Sequence, residues 1–218
     1  MDKLDISTIL ASAIHESKNR IGTLLYHTHT IKSHKEMNTN IEKTIDTIEE
    51  SLKQLNDEWV EYLYLYKLST DGYPILYNSV SVSEFLDDQV FALESSASSR
   101  DLTLNFKCDE DIIGFFDERL ITSAVSTSIY NALRYAKQAI LLTANIEANF
   151  LVITIEDDGP GFFNDESDEM LFSKNTGLGL YFCELSAKSH SIKDVNGYIT
   201  KETSSKLGGA CLKIFLPQ

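Results

Sequence analysis

A chain of 218 residues, 43% of them apolar, has room for a helical hairpin and one α/β domain with its own core. Its 33 acidic residues against 19 basic ones give a formal charge of −14, which argues against nucleic acid or an anionic membrane surface as a direct partner. Three scattered cysteines (Cys108, Cys183, Cys211) lack metal-ligand spacing and fit a reducing cytoplasm, and there is neither a signal peptide nor an apolar run of about 18 residues.

In chain order, Ile14, Ile21, Leu24, Thr28 and Ile31 predict a first amphipathic helix, with Ser17 as a polar interruption. Ser33 to Asn40 is polar and suits a loop. Ile41, Ile45, Ile48, Leu52, Leu55, Trp59 and Tyr62 then alternate spacings of four and three, which is a heptad seam. Two helices of roughly 30 residues make a hairpin about 45 Å long. A lone hairpin buries little of its seam, so the expected state is a homodimer closed as a four-helix bundle. His15 lies one position beyond Ile14, at the shoulder of such a bundle, where another domain can reach its ring. A coiled coil without chemistry fits the same stripe. Turn residues gather from Leu68 to Pro74, giving expected boundaries of 1–70 for the hairpin, 71–79 for a linker and 80–218 for the second domain.

Residues from Glu118 to Ala136 read as a helix with Asp117 as N-cap, its apolar side formed by Leu120, Ile121, Ala124, Val125, Ile129, Ala132 and Leu133. Thr127, Asn131 and Arg134 share its other face, where a hydroxyl, an amide oxygen and a guanidinium could meet a Mg²⁺–polyphosphate. An ordinary solvated face would look the same. Phe150 to Ile155 alternates as a strand and runs into Glu156-Asp157-Asp158-Gly159-Pro160-Gly161-Phe162. Asn175-Thr176-Gly177-Leu178-Gly179-Leu180 then opens a helix running to Ser189, whose N–H groups can face an anion. Each glycine cluster alone describes a turn. Together they supply a carboxylate for a base edge and a helix start for phosphates. Neither a P-loop nor a dinucleotide fingerprint fits.

Asn131-Ala132-Leu133-Arg134-Tyr135-Ala136, Asp157-x-Gly-x-Gly and Thr176-Gly-Leu-Gly-Leu resemble the N box and two glycine boxes of the sensor histidine kinase ATP-binding domain. That domain is shared with DNA gyrase, a chaperone family and the MutL proteins. The resemblance runs from about Val80 to the C-terminus, where Gly208 to Pro217 looks like the family's closing strand, and Asp117 matches the acid preceding the N-box helix. It implies a helical hairpin followed by an α/β sandwich of the Bergerat type. Asp157 would accept from the adenine amino group, Asn131 would ligate Mg²⁺, and Gly159 and Gly161 would let backbone approach ATP. Arg134, Tyr135, Lys174, Thr176, Gly177, Leu178, Gly179 and Leu180 would complete the nucleotide site. His15-Glu16-Ser17-Lys18-Asn19 is similar to the family's H box in its His-Glu-x-Lys-Asn form. Its implied roles are His15 as phosphoacceptor, Glu16 as base and Asn19 as a positioner of water or partner.

The resemblance further implies phosphotransfer to a response-regulator receiver domain, with phosphatase activity a family option. With no membrane span and no residues for a sensor, input is expected from a separate sensor protein. Three departures stand out: Thr127 where the N box usually has a second Asn, Asn175 for the first glycine of the second glycine box, and Arg20 for a common proline. None removes a group the chemistry requires. Phe172 either covers the nucleotide or anchors the lid; His27, His29 and His34 read as surface residues and His190 as structural. Two other classes remain open: a phosphotransfer protein with a degenerate ATP domain, and a serine/threonine kinase of the anti-sigma-factor type.

Overall fold

The computed structural model describes residues 17, 21–31, 39–70, 72–162 and 178–218. The chain divides into two compact units, Met1–Tyr73 and Pro74–Gln218.

The first unit is helical wherever it is described up to Ser69. Residues 21–31 form one helical segment, and α1 (Thr39–Ser69) carries the heptad stripe. The two lie side by side, since His29 Nδ1 comes within 3.4 Å of Glu49 Oε1. Ile21 and Ile45 are buried, whereas Leu24, Ile31, Ile48 and Leu55 are 40 to 52% exposed, so a single copy leaves much of the stripe open. Gly72 N donates to Lys67 O at 2.8 Å and closes the helix. His27 and His29 are exposed as expected, although His29 keeps its contact with Glu49; His34 lies outside the described residues.

The second unit is a two-layer α/β sandwich. Its main sheet runs β2 (Thr103–Lys107), β4 (Ala139–Glu147), β5 (Phe150–Asp157), β9 (Ala210–Pro217) and β8 (Tyr198–Thr203). β2 and β4 are parallel, and every other pairing is antiparallel. β1 (Asn78–Ser81) pairs with β3 (Ile113–Phe116), and β6 (Ser191–Ile192) with β7 (Val195–Asn196). The helices are α2 (Val82–Ser98), α3 (Glu118–Tyr135) and α4 (Leu178–Ser189).

Strand alternation decides which layer each residue joins. Leu151, Ile153 and Ile155 of β5 meet Ile121, Val125 and Ile129 of α3 and Phe85 and Leu86 of α2 in one core. The opposite face of β5 is buried as well, with Val152, Thr154 and Glu156 all under 9% exposed. An aromatic group helps close that side: Tyr198 stacks on Phe215 with centroids 4.3 Å apart, and Phe150 sets an edge against Tyr198. Asp157, last in the strand, shares the helix-facing register of Ile153 and Ile155.

The N-terminus of α3 is fixed where the sequence places it. Asp117 Oδ1 accepts from Leu120 N at 3.1 Å, while its Oδ2 accepts from Leu76 N at 2.8 Å. His190, fully buried after α4, accepts the Asp117 N–H on Nε2 at 3.0 Å. Its Nδ1 then donates to Ser186 O at 2.8 Å, which fixes the neutral tautomer. Burial pushes the imidazole below its ordinary 6.5, more than the Ser186 bond and the Asp117 charge raise it. The stability it contributes is therefore complete above that value and is lost as pH falls below it. Replacing His190 with Ala strands a donor and an acceptor and opens a cavity, an expected loss of about 3 kcal/mol. Urea unfolding at pH 7.5 and 5.5 checks both points, because the variant lacks the acid-induced loss that His190 causes in the parent.

Candidate nucleotide site

Asp157 is 6% exposed at the end of β5, and its carboxylate is held rather than free to turn. Oδ1 accepts from Gly159 N at 2.7 Å and from Ala210 N at 3.2 Å. The backbone O of the same residue accepts from Gly209 N at 3.0 Å. Oδ2 has no hydrogen-bond partner among the described residues. Burial raises the pKa above the ordinary carboxylate value; the two N–H donors oppose that shift and the Asp158 charge adds to it. This acceptor is fixed and partly desolvated, and only one of its oxygens is paired among the described residues.

The glycines around it are dictated by space. A Cβ on Gly159 would stand 2.5 Å from Tyr135 O and 2.9 Å from Asp157 Oδ1. Gly161 has a φ of +85°, in the left-handed region. Gly209 could carry no side chain either, since its Cβ would stand 2.5 Å from both Asp157 O and Asp157 Oδ1. The neighbouring Asp158 acts elsewhere, since its Oδ1 accepts from the N–H groups of Lys137, Gln138 and Ala139 at 2.8, 3.1 and 3.3 Å. Burial acts to raise its pKa, but these donors outweigh it and hold the carboxyl below the usual range. Asp158 thus pins the turn between α3 and β4.

α3 links this turn to the start of α4. A Cβ on Gly179 would lie 2.9 Å from Thr127 Cγ2 and 3.6 Å from Asn131 Nδ2. The tight contact is with the Thr127 methyl, which any side chain at 179 would have to displace, while the Asn131 amide lies at ordinary contact distance. Asn131, Arg134 and Tyr135 are exposed along the same stretch of α3, and Leu180 is half-buried on α4. Leu178 opens α4. Ser128 Oγ and Cys183 Sγ, 3.3 Å apart, join the two helices through their buried faces.

Thr127 shares the face of α3 that carries Asn131, since both side chains lie against Gly179, but it is buried there rather than solvated. It is 7% exposed, and its hydroxyl donates to Ser123 O at 2.8 Å within its own helix. Its methyl group packs under Gly179. The residue helps seat α4 on α3. Thr127→Val keeps the methyl contact and removes the bond to Ser123 O, an expected stability loss of about 1 kcal/mol. Thermal melting checks this.

His15, Glu16, Asn19, Lys174, Thr176 and Gly177 lie outside the described residues, as do Asn175, Arg20 and Phe172. Gly209, Ala210 and Asp158 belong to the site's framework and were not assigned to it by sequence reasoning. The Gly208-Gly209 pair ahead of an apolar strand was the available signal. Among the described residues no group of three or more His, Cys, Asp or Glu could hold a metal ion, and no helix is long and apolar enough to cross a membrane.

Residues 116–218 match the histidine kinase-, DNA gyrase B- and HSP90-like ATPase family. The chain is 32% identical over 148 residues to the sensor histidine kinase CpxA of Escherichia coli K12, covering 62% of this chain and 30% of CpxA. It is 26% identical over 167 residues to the sensor histidine kinase CssS of Bacillus subtilis 168, covering 76% of this chain and 36% of CssS. Among solved structures, the Acinetobacter baumannii histidine kinase AdeS superposes with a TM-score of 0.62 at 18% identity, over 90% of this chain and 94% of that one. Full-length ShkA in complex with AMPPNP gives 0.66 at 17% identity, over 95% of this chain and 45% of that one. The chain therefore carries an ATPase domain of this family and is homologous to sensor histidine kinases. It spans only about a third of the length of the two sensor kinases it matches in sequence.

Proposed function

We propose that the chain is the catalytic core of a two-component histidine kinase. It binds ATP with Mg²⁺, transfers the γ-phosphoryl group to His15, and passes it on to an aspartate of a response-regulator receiver domain. The observation that carries the nucleotide half of this reading is the Asp157 carboxylate. Its Oδ1 is locked by Gly159 N and Ala210 N, and its Oδ2 is left for a donor such as the adenine amino group.

Asn131, exposed beside the first turn of α4, fits a Mg²⁺ ligand, and the N–H groups opening that helix fit phosphate. Bound there, Mg²⁺ would neutralise polyphosphate charge. Gly161 lets backbone approach the nucleotide, while Arg134, Tyr135, Lys174, Thr176, Gly177, Leu178, Gly179 and Leu180 complete its surroundings. In the transfer step a ring nitrogen of neutral His15 forms the N–P bond as the P–O bond to the ADP leaving group breaks. Glu16 holds the other ring nitrogen or takes its proton, and Asn19 orients water or the partner. Positioning and electrostatics supply the rate.

The helical unit serves as the dimerisation and phosphotransfer part (1–70), joined by 71–79 to the ATP-binding part (80–218). The exposed Leu24, Ile31, Ile48 and Leu55 support closure by a second copy. The same reading allows phosphatase activity toward the receiver domain as a second output.

Base selectivity tests the nucleotide half. A non-hydrolysable ATP analogue with Mg²⁺ should bind at least about tenfold tighter than the matching GTP analogue. Guanine offers a carbonyl where adenine offers the amino donor, setting two acceptors against each other. Equal affinity for the two would overturn the assignment of Asp157.

A further inference from the structure

β5 ends in two adjacent buried carboxylates, and the nucleotide site uses only one of them. Glu156 is 3% exposed and faces the side of the sheet opposite to Asp157. Its Oε1 accepts from Ser204 Oγ at 2.9 Å and its Oε2 from Lys206 Nζ at 2.9 Å. Burying a carboxylate is expensive, and strand packing alone requires only an apolar side chain. The contacts of Ser204 show what the charge holds in place. Its Oγ also accepts from Lys206 N at 3.3 Å and Leu207 N at 2.9 Å, so the loop entering β9 is wound around that oxygen. Ser204 N donates to Gly209 O at 2.8 Å, and Ser204 O accepts from Gly208 N at 3.0 Å. From Gly209 and Ala210 the path returns to β5, through Gly209 N on Asp157 O and Ala210 N on Asp157 Oδ1.

A closed ring of hydrogen bonds thus starts on Glu156 and ends on its neighbour. We infer that Glu156 is a positioning residue for nucleotide recognition: through Ser204, Lys206 and the 204–210 loop it sets the Asp157 carboxylate from the far side of the sheet. This rests on the reading of Asp157 as the base-recognising acceptor. Glu156 touches no nucleotide, and its effect passes through the loop to the Gly209 and Ala210 amides.

Three variants test it. Glu156→Val removes both acceptors, Glu156→Gln keeps an acceptor for Ser204 Oγ, and Lys206→Met removes only the cation, whose side chain is 54% exposed. Thermal melting shows which of them fold. The first readout uses the nucleotide-free protein: the titration of the Asp157 carboxyl by carbon NMR and the exchange rate of the Ala210 amide. The second is affinity for a Mg²⁺–ATP analogue. Glu156→Val is expected to expose the Ala210 amide to exchange, move the Asp157 titration to higher pH and weaken the analogue at least about tenfold. Lys206→Met should do the same to a smaller degree, and Glu156→Gln should stay within about threefold of the parent.

An unchanged Asp157 titration and Ala210 exchange in a folded Lys206→Met or Glu156→Val protein overturns the inference. If Glu156→Val does not fold, Lys206→Met and Glu156→Gln decide it. A parent protein that binds no adenine nucleotide overturns the reading of Asp157 instead, while the nucleotide-free measurements still report whether Glu156 sets that carboxylate.

Discussion

Asp157→Asn is expected to weaken binding of a Mg²⁺–ATP analogue by at least about 100-fold while leaving the fold as stable as the parent at neutral pH, or more so. The two effects come from the same atoms. The amide oxygen still accepts from Gly159 N and Ala210 N in the place of Oδ1, so the turn keeps its hydrogen bonds. The amide nitrogen then occupies the position of Oδ2 and offers hydrogens to an amino group that also donates. An unpaired donor in a buried site costs far more than the lost bond itself.

The stability half follows from the raised pKa. Burial places the folded-state value above the unfolded one, so the contribution of Asp157 is complete below the unfolded value and is lost as pH rises through the folded value. Asn carries no charge to desolvate, so the variant avoids the burial cost of a carboxylate. Isothermal titration and thermal melts at pH 7 decide the matter. A variant that melts lower but still binds nucleotide would reverse the assignment.

Gly209→Ala should damage the site more severely than any other single methyl group added to the 204–210 loop. The new Cβ would stand 2.5 Å from Asp157 O and Oδ1 and closer still to Gly159 N. These are backbone atoms and a locked carboxylate, none of which can rotate away. The expected loss is about 3 kcal/mol of stability, with nucleotide binding falling below detection. Gly208→Ala is the built-in comparison. Gly208 has a φ of +87° and nothing within 4 Å of its Cβ position, so the substitution carries only left-handed strain, about 1 kcal/mol, and should leave binding intact. Equal damage from both variants would locate the effect in loop strain rather than at Asp157.

Secondary structure around the site was legible because local signals agreed. The Asp117 cap and the periodicity after it predict a helix from Glu118 to Ala136, and α3 spans Glu118–Tyr135. The run opening at Leu178 predicts α4 to Ser189, which is where it ends. The strand before Asp157 was visible in the alternation from Phe150, although it extends two residues past Ile155. What escaped sequence reading was set by pairing between distant segments. Glu156 lies opposite Cys211 in the register of β5 and β9. That register brings Gly209 and Ala210 onto Asp157, and no periodicity in either segment announces it. Thr127 shares the face of Asn131 as its spacing predicts, but spacing does not show that it is buried against α4 or that its hydroxyl turns back to the carbonyl four residues earlier. The structural role expected of His190 takes its physical content from two buried hydrogen bonds.

Phosphoryl transfer to His15 is the step on which the proposed function depends. The most direct measurement incubates the protein and its His15→Ala variant with γ-labelled ATP and Mg²⁺, then treats each with acid and with alkali. A label on the parent that is lost in acid, survives alkali and is absent from His15→Ala is the predicted result. A label that survives acid, or one that persists in the variant, would contradict it.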